Sequence, residues 1–159
     1  MVLDLAGDRW VLCIPGDVPA LKRYRPTIEM KPRIIIADDN TTFLHKFVAI
    51  LSNHCDVVAT AQNGIAALQA IREFKPDVAV LDLEMPGLNG IEVTVESRKD
   101  SPELAIIICS VHRDQELIEA AAAAGALGYV FKEDAYRDLV AAVDFVSLGT
   151  SFFPRNGLS

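Results

Sequence analysis

Cysteine is scarce and scattered. The three residues Cys13, Cys55 and Cys109 are odd in number and far apart. Neither a zinc-ligand spacing nor a disulfide framework is present, and they read as core thiols in a reducing cytoplasm. A long apolar run is missing too. The longest stretch without charge, Val57 to Ile71, has 15 residues and includes Thr60, Gln62, Asn63, Gly64 and Gln69. It is too short and too polar to span a bilayer. The first residues carry Asp4 and Asp8 and no basic cluster, so no secretory signal is read there. Positive charge is in deficit as well. Residues 1–33 hold six Lys/Arg against four Asp/Glu, and residues 34–159 hold nine against eighteen, which makes up the formal net charge of −7. A body that acidic repels nucleic-acid phosphates, so direct DNA binding by this chain is not expected, nor is a membrane partner. What is present is a 51% hydrophobic chain of 159 residues. That suffices for one domain with a real core and excludes disorder throughout.

From Arg33 onward, short apolar runs alternate with helical periodicity. Ile34-Ile35-Ile36-Ala37 is β-branched and stopped by Asp38-Asp39-Asn40, so it reads as a buried strand. Asn40 can cap a helix in which Leu44, Phe47, Val48 and Leu51 recur on one face. The cycle then repeats. Asp56–Ala61 is a second strand, and Ile65, Leu68 and Ile71 mark a second helix. Val78–Leu81 is a third strand, ending at Asp82, and a helix starts near Ile91 and ends before Pro102. Leu104–Cys109 is a fourth strand, ending at Ser110, with an alanine-rich helix over Gln115–Ala124 and a stop at Gly125. Gly128–Phe131 is a fifth strand, ending at Lys132, and Tyr136, Leu139, Val140 and Val143 give the last helix its apolar face. The fold class predicted is α/β: a doubly wound, five-stranded parallel sheet of flavodoxin-like order 2-1-3-4-5, with helices on both faces. Residues 1–32 stand outside the cycle as an N-terminal extension, disordered or a docking arm, with one candidate strand at Trp10–Ile14 and a linker at Lys22–Pro26. The body is 33–154, and 155–159 is a tail.

In an open parallel sheet, ligands bind outside the carboxyl ends of the strands. Those ends carry Asp38, Asp39, Asp82, Ser110 and Lys132. Three carboxylates repel one another in a small space, and a hard divalent cation relieves that. A metal-bound Asp beside a Lys and a hydroxyl is suited to handling a phosphoryl group, with the Asp as covalent acceptor. Singly, each of these residues would pass for a turn, loop or surface residue. The set carries the argument.

These residues also resemble a family. The segments Ile34–Asn40, Val80–Gly90, Ile108–Ser110 and Ala124–Lys132 are similar, in order, to the receiver domain of two-component response regulators. The wording around Ser110-Val111-His112 and Gly128-Tyr129 looks most like the NarL/FixJ type. The resemblance implies that Asp82 is phosphorylated by a sensor histidine kinase or phosphotransfer protein. It implies that Asp39 and Asp82 ligate Mg²⁺ directly, Asp38 through water, and Glu84 by its backbone carbonyl. Ser110 and Tyr129 match the switch positions, Lys132 the phosphoryl-binding lysine, and Glu84 and His112 positions that tune dephosphorylation. Homodimer formation on phosphorylation is a further implied partnership. Glu133 follows Lys132 where much of the family has proline, so no cis bond is implied there. After Pro154 only five residues remain, and no recognition helix fits them. The chain is expected to be a stand-alone receiver or a piece of a longer regulator, a cytoplasmic signalling switch rather than a turnover enzyme.

Three other readings compete with this one. A receiver-shaped module that is never phosphorylated would not need the complete acid, Ser and Lys set. An aspartate-dependent phosphatase of the haloacid dehalogenase type would carry its paired acids after the first strand. A flavin-binding flavodoxin would need a phosphate-cradling loop where Asp38-Asp39-Asn40 stands.

Overall fold

The computed structural model describes residues 2–5, 10–13 and 31–155. The chain divides into two compact units, residues 1–30 and 31–159. In the first, β1 (Val2–Leu5) pairs antiparallel with β2 (Trp10–Cys13). The candidate strand at Trp10 therefore forms, and it has a partner that the sequence did not reveal. The linker at Lys22–Pro26 lies outside the described residues, as do residues 156–159 of the tail.

The second unit carries β3 (Arg33–Ala37), α1 (Thr41–Leu51), β4 (Asp56–Ala61), α2 (Gly64–Phe74) and β5 (Val78–Asp82). After these come α3 (Gly90–Asp100), β6 (Ala105–Ser110), α4 (Gln115–Ala124), β7 (Gly128–Phe131) and α5 (Ala135–Ser147). Its five strands form one sheet in the order β4-β3-β5-β6-β7. Each neighbouring pair is parallel. This is the 2-1-3-4-5 arrangement expected.

The three central strands β3, β5 and β6 are buried almost end to end, as their continuous apolar runs require. Their side chains alternate between two cores. Ile35, Ala79, Leu81, Ile106 and Ile108 face one, and Ile34, Ile36, Val78, Val80 and Ile107 face the other. α1 and α5 cover the second core through Leu44, Phe47, Leu51, Leu139 and Val143.

The apolar face assigned to the last helix is corrected at Tyr136, and Ile65, though it marks the second helix, does not reach the core. Ile65 and Tyr136 are 54% and 79% exposed. At those helices the sheet is met by Ala67, Leu68 and Ile71 and by Ala135, Leu139, Ala142, Val143 and Val146. Alanine lets helix and sheet approach closely, so the contact stripe runs through small residues that hydropathy underweights.

Boundaries follow local chemistry. Asn40, Asn63 and Asn89 each accept backbone N–H groups at a helix start. Asn89 and Glu92 do so reciprocally, forming a capping box. α4 stops at Gly125, whose φ of +109° suits glycine. After α5 the chain returns to the sheet. Phe152 bridges Gly128 in parallel, its N–H donating to Leu127 O at 2.8 Å, while Tyr129 N–H donates to Phe152 O at 2.9 Å. Among the described residues, no helix is long and apolar enough to cross a membrane. Cys55 and Cys109 are buried free thiols. Burial pushes both upward in pKa, Cys55 to about 11, so they stay neutral core residues.

Candidate functional site

The apolar strands end together, so their first polar residues converge at one edge of the sheet. Asp38 follows β3, Asp82 ends β5, Ser110 ends β6 and Lys132 follows β7. All four are buried: Asp38 0%, Ser110 1%, Lys132 5% and Asp82 6% exposed. Asp39 is exposed beside them. A buried lysine is rare unless paired, and this one is paired twice. Lys132 Nζ lies 2.7 Å from Asp38 Oδ2 and 3.2 Å from Asp82 Oδ1.

Two buried carboxylates share one ammonium, which leaves one negative charge in excess. Burial pushes the Asp82 carboxyl up to about 7; Lys132 draws it down and Asp38 pushes it up again. Burial works against the Lys132 ammonium, but the two acids outweigh it and hold its pKa above the ordinary lysine value.

The same cluster can hold a cation. Carboxylate oxygens of Asp38, Asp39 and Asp82 all lie within 4.8 Å of one another. Asp38 Oδ2 is fully buried, and its near partner is the Lys132 ammonium at 2.7 Å. Three carboxylates set against one ammonium offer oxygen ligands and spare negative charge, which fits a hard divalent ion. Asp38 Oδ1 accepts from Asn40 N–H at 2.9 Å, and Asp82 Oδ1 receives a longer contact of 3.4 Å from Glu84 N–H.

The loop after β6 ties into this edge. Ser110 Oγ accepts from His112 N–H at 3.1 Å, and the Tyr129 hydroxyl donates to His112 O at 2.9 Å. Tyr129 is buried, at 1% exposed, although β7 is the last strand of the sheet. The His112 ring reaches across to Glu84, Nε2 to Oε1 at 2.7 Å. The two residues expected to tune dephosphorylation are thus in contact.

Two sets of contacts were not read from the sequence. The Phe43 ring centroid stands 4.4 Å from Lys132 Nζ. Arg113 lies 4.1 Å from the centre of the Phe131 ring and pairs with Glu133 and Asp134 in the 3₁₀ turn that follows β7, its Nε 2.7 Å from Glu133 Oε1. The signal for Phe43 was its place in the first turn of the capped helix after Asp38-Asp39-Asn40. Nothing in the sequence pairs Arg113 with Glu133.

Comparison with known proteins agrees with this fold. A family model described as the response regulator receiver domain matches residues 34–144. The oxygen regulatory protein NreC of Staphylococcus aureus (strain JH9) is 36% identical over 123 residues, covering 76% of this chain and 57% of that protein. Among solved structures, the signal receiver domain of the response regulator NarL from Mycobacterium tuberculosis superposes with a TM-score of 0.73 at 32% identity, covering 76% of this chain and 98% of that one. The isolated REC domain of RcsB from Salmonella enterica serovar Typhimurium, solved in the presence of phosphomimetic BeF3⁻, gives 0.72 at 25% identity, covering 79% and 94%. The chain spans about half the length of the curated relatives it matches.

Proposed function

Because the chain belongs to the response regulator receiver domain family, we propose that it works as a phosphorylation switch with Asp82 as acceptor. Receiver domains are signalling domains rather than turnover enzymes. The observation that carries the reading is Lys132, buried between Asp38 and Asp82 at 2.7 and 3.2 Å. A carboxylate nucleophile, a fixed ammonium and a hydroxyl donor converge where a phosphoryl group would sit.

The donor is the phosphohistidine of a sensor kinase or phosphotransfer protein. An Asp82 carboxylate oxygen attacks phosphorus, and the P–O bond forms as the P–N bond breaks. The electron pair of that bond returns to the departing imidazole. Lys132 meets one phosphoryl oxygen, and the Ser110 hydroxyl donates to another. Asp38, Asp39, Asp82 and the backbone carbonyl of Glu84 would hold Mg²⁺, which supplies positive charge against the phosphoryl oxygens. Because Ser110 Oγ already accepts from His112 N–H, a shift of Ser110 toward the phosphoryl group draws the loop with it. That loop bears the carbonyl to which Tyr129 donates, so the two switch residues move as one. Partner affinity, homodimerisation included, then changes on the face around β7, α4 and α5. The setting is the cytoplasm, where kinase output is delivered.

Intact mass after treatment with Mg²⁺ and a small phosphodonor tests the reading. A phosphoryl adduct that needs the metal and is lost in Asp82→Asn is expected. An adduct that persists in Asp82→Asn would place the acceptor elsewhere.

A further inference from the structure

Lysine is a flexible point charge on a four-carbon stem, so something must hold the Lys132 ammonium still. The two acids pair with it, and a ring lies beneath it. Phe43 sits in the first turn of α1 with its centroid 4.4 Å from Nζ, within the range of a cation–π contact. The ring is itself fixed. Phe47, buried below, stacks on it with centroids 5.9 Å apart and planes at 27°. The Asn40 cap holds the backbone, its Oδ1 accepting from Thr42 N–H at 2.9 Å and from Phe43 N–H at 3.3 Å. Asn40 in turn donates its N–H to Asp38. The ring and an acid that binds the ammonium therefore belong to one short, hydrogen-bonded segment. Phe43 remains only partly buried, so its position is not dictated by core filling alone.

We propose that Phe43 is a positioning residue for phosphoryl acceptance: its ring face holds the Lys132 ammonium at the place where a phosphoryl oxygen arrives. The inference rests on the reading of Lys132 as the phosphoryl partner. Leucine at this site keeps the apolar cover and removes the quadrupole, whereas tyrosine and tryptophan keep a ring.

The test uses the full chain with Mg²⁺ and acetyl phosphate, which needs no protein docking. Adduct formation is followed by intact mass in the unmutated protein, Phe43→Leu, Phe43→Tyr and Phe43→Trp. Each is repeated in a Lys132→Ala background. Phe43→Leu is expected to accept phosphate several-fold more slowly, and at least one aromatic variant to restore the rate. In the Lys132→Ala background Phe43→Leu is expected to change nothing, because coupled residues are not additive. NMR supplies a second readout that needs no variant. Ring current over the ammonium shifts the Lys132 ε-methylene protons upfield. An unmutated rate in Phe43→Leu, equal slowing in all three variants, an undiminished effect without Lys132, or unshifted ε-protons would overturn the proposal. Absence of any adduct in the unmutated protein would instead overturn the acceptor reading, and the NMR shift would still decide where the ring holds the ammonium.

Discussion

At the scale of single residues, the site is defined by one charge too many. Asp38 and Asp82 share Lys132, and burial raises the Asp82 pKa from 3.8 to about 7. A carboxyl raised by folding binds its proton more tightly in the folded state. Its contribution to stability is full below the ordinary carboxylate pKa and is lost as pH rises through about 7. In metal-free protein, stability should therefore fall from about pH 4 to about pH 7. Denaturant melts in chelator across that range check this, and Asp82→Asn should flatten the fall. The acid, Ser and Lys positions were legible in the sequence because each stops an apolar run. The ion pairs and the Phe43 contact were not, since they join segments far apart in the chain that only the closed sheet brings together.

At the scale of elements, the loop between Asp82 and α3 is held from its far end. Asn89 and Glu92 close a capping box, and Gly90 N–H donates to Leu83 O at 2.9 Å. A Cβ at Gly90 would stand 2.4 Å from the Asp82 carbonyl oxygen, a backbone atom with nowhere to move. Asn89→Ala should cost about 1 kcal/mol by loss of the cap. Gly90→Ala should cost more and should also slow phosphoryl acceptance, since it displaces the acceptor's own peptide group. Urea midpoints and adduct rates measured on the two variants separate these effects. The order of strands and helices was readable because β3, β5 and β6 are continuous apolar runs and each helix start carries a capping Asn or an acidic turn. The contact face of α5 departs from the apolar pattern at Tyr136, because alanines line the stripe against the sheet. The return of Phe152 to the edge of β7 has no periodicity to announce it.

At the scale of the whole molecule, metal and N-terminal segment make separate predictions. A cation that binds the folded acids and not the unfolded chain stabilises by RT ln(1 + [L]/Kd), about 2.7 kcal/mol at 100-fold excess over Kd. Mg²⁺ should raise the melting temperature, and Asp39→Ala should remove most of the gain. An unchanged melting temperature in the unmutated protein would count against the acidic site. Residues 1–30 form a compact unit of their own, and the acceptor chemistry uses nothing before Asp38. A chain beginning at Met30 should fold and take up phosphate at the rate of the full chain, as circular dichroism and intact mass would show. Insolubility or loss of uptake would make the hairpin unit part of the receiver.

The bridge at Phe152 has a mechanical side. Its carbonyl takes the N–H of Tyr129, and its own N–H is given to Leu127, so the backbone that leaves α5 is pinned on both sides of Gly128. Tension applied at Arg155 travels three residues before it reaches that pin. There the load divides between the covalent path back into α5 and the two hydrogen bonds to Leu127 and Tyr129. A pull on the departing backbone therefore bears on the Tyr129 peptide group through a single hydrogen bond.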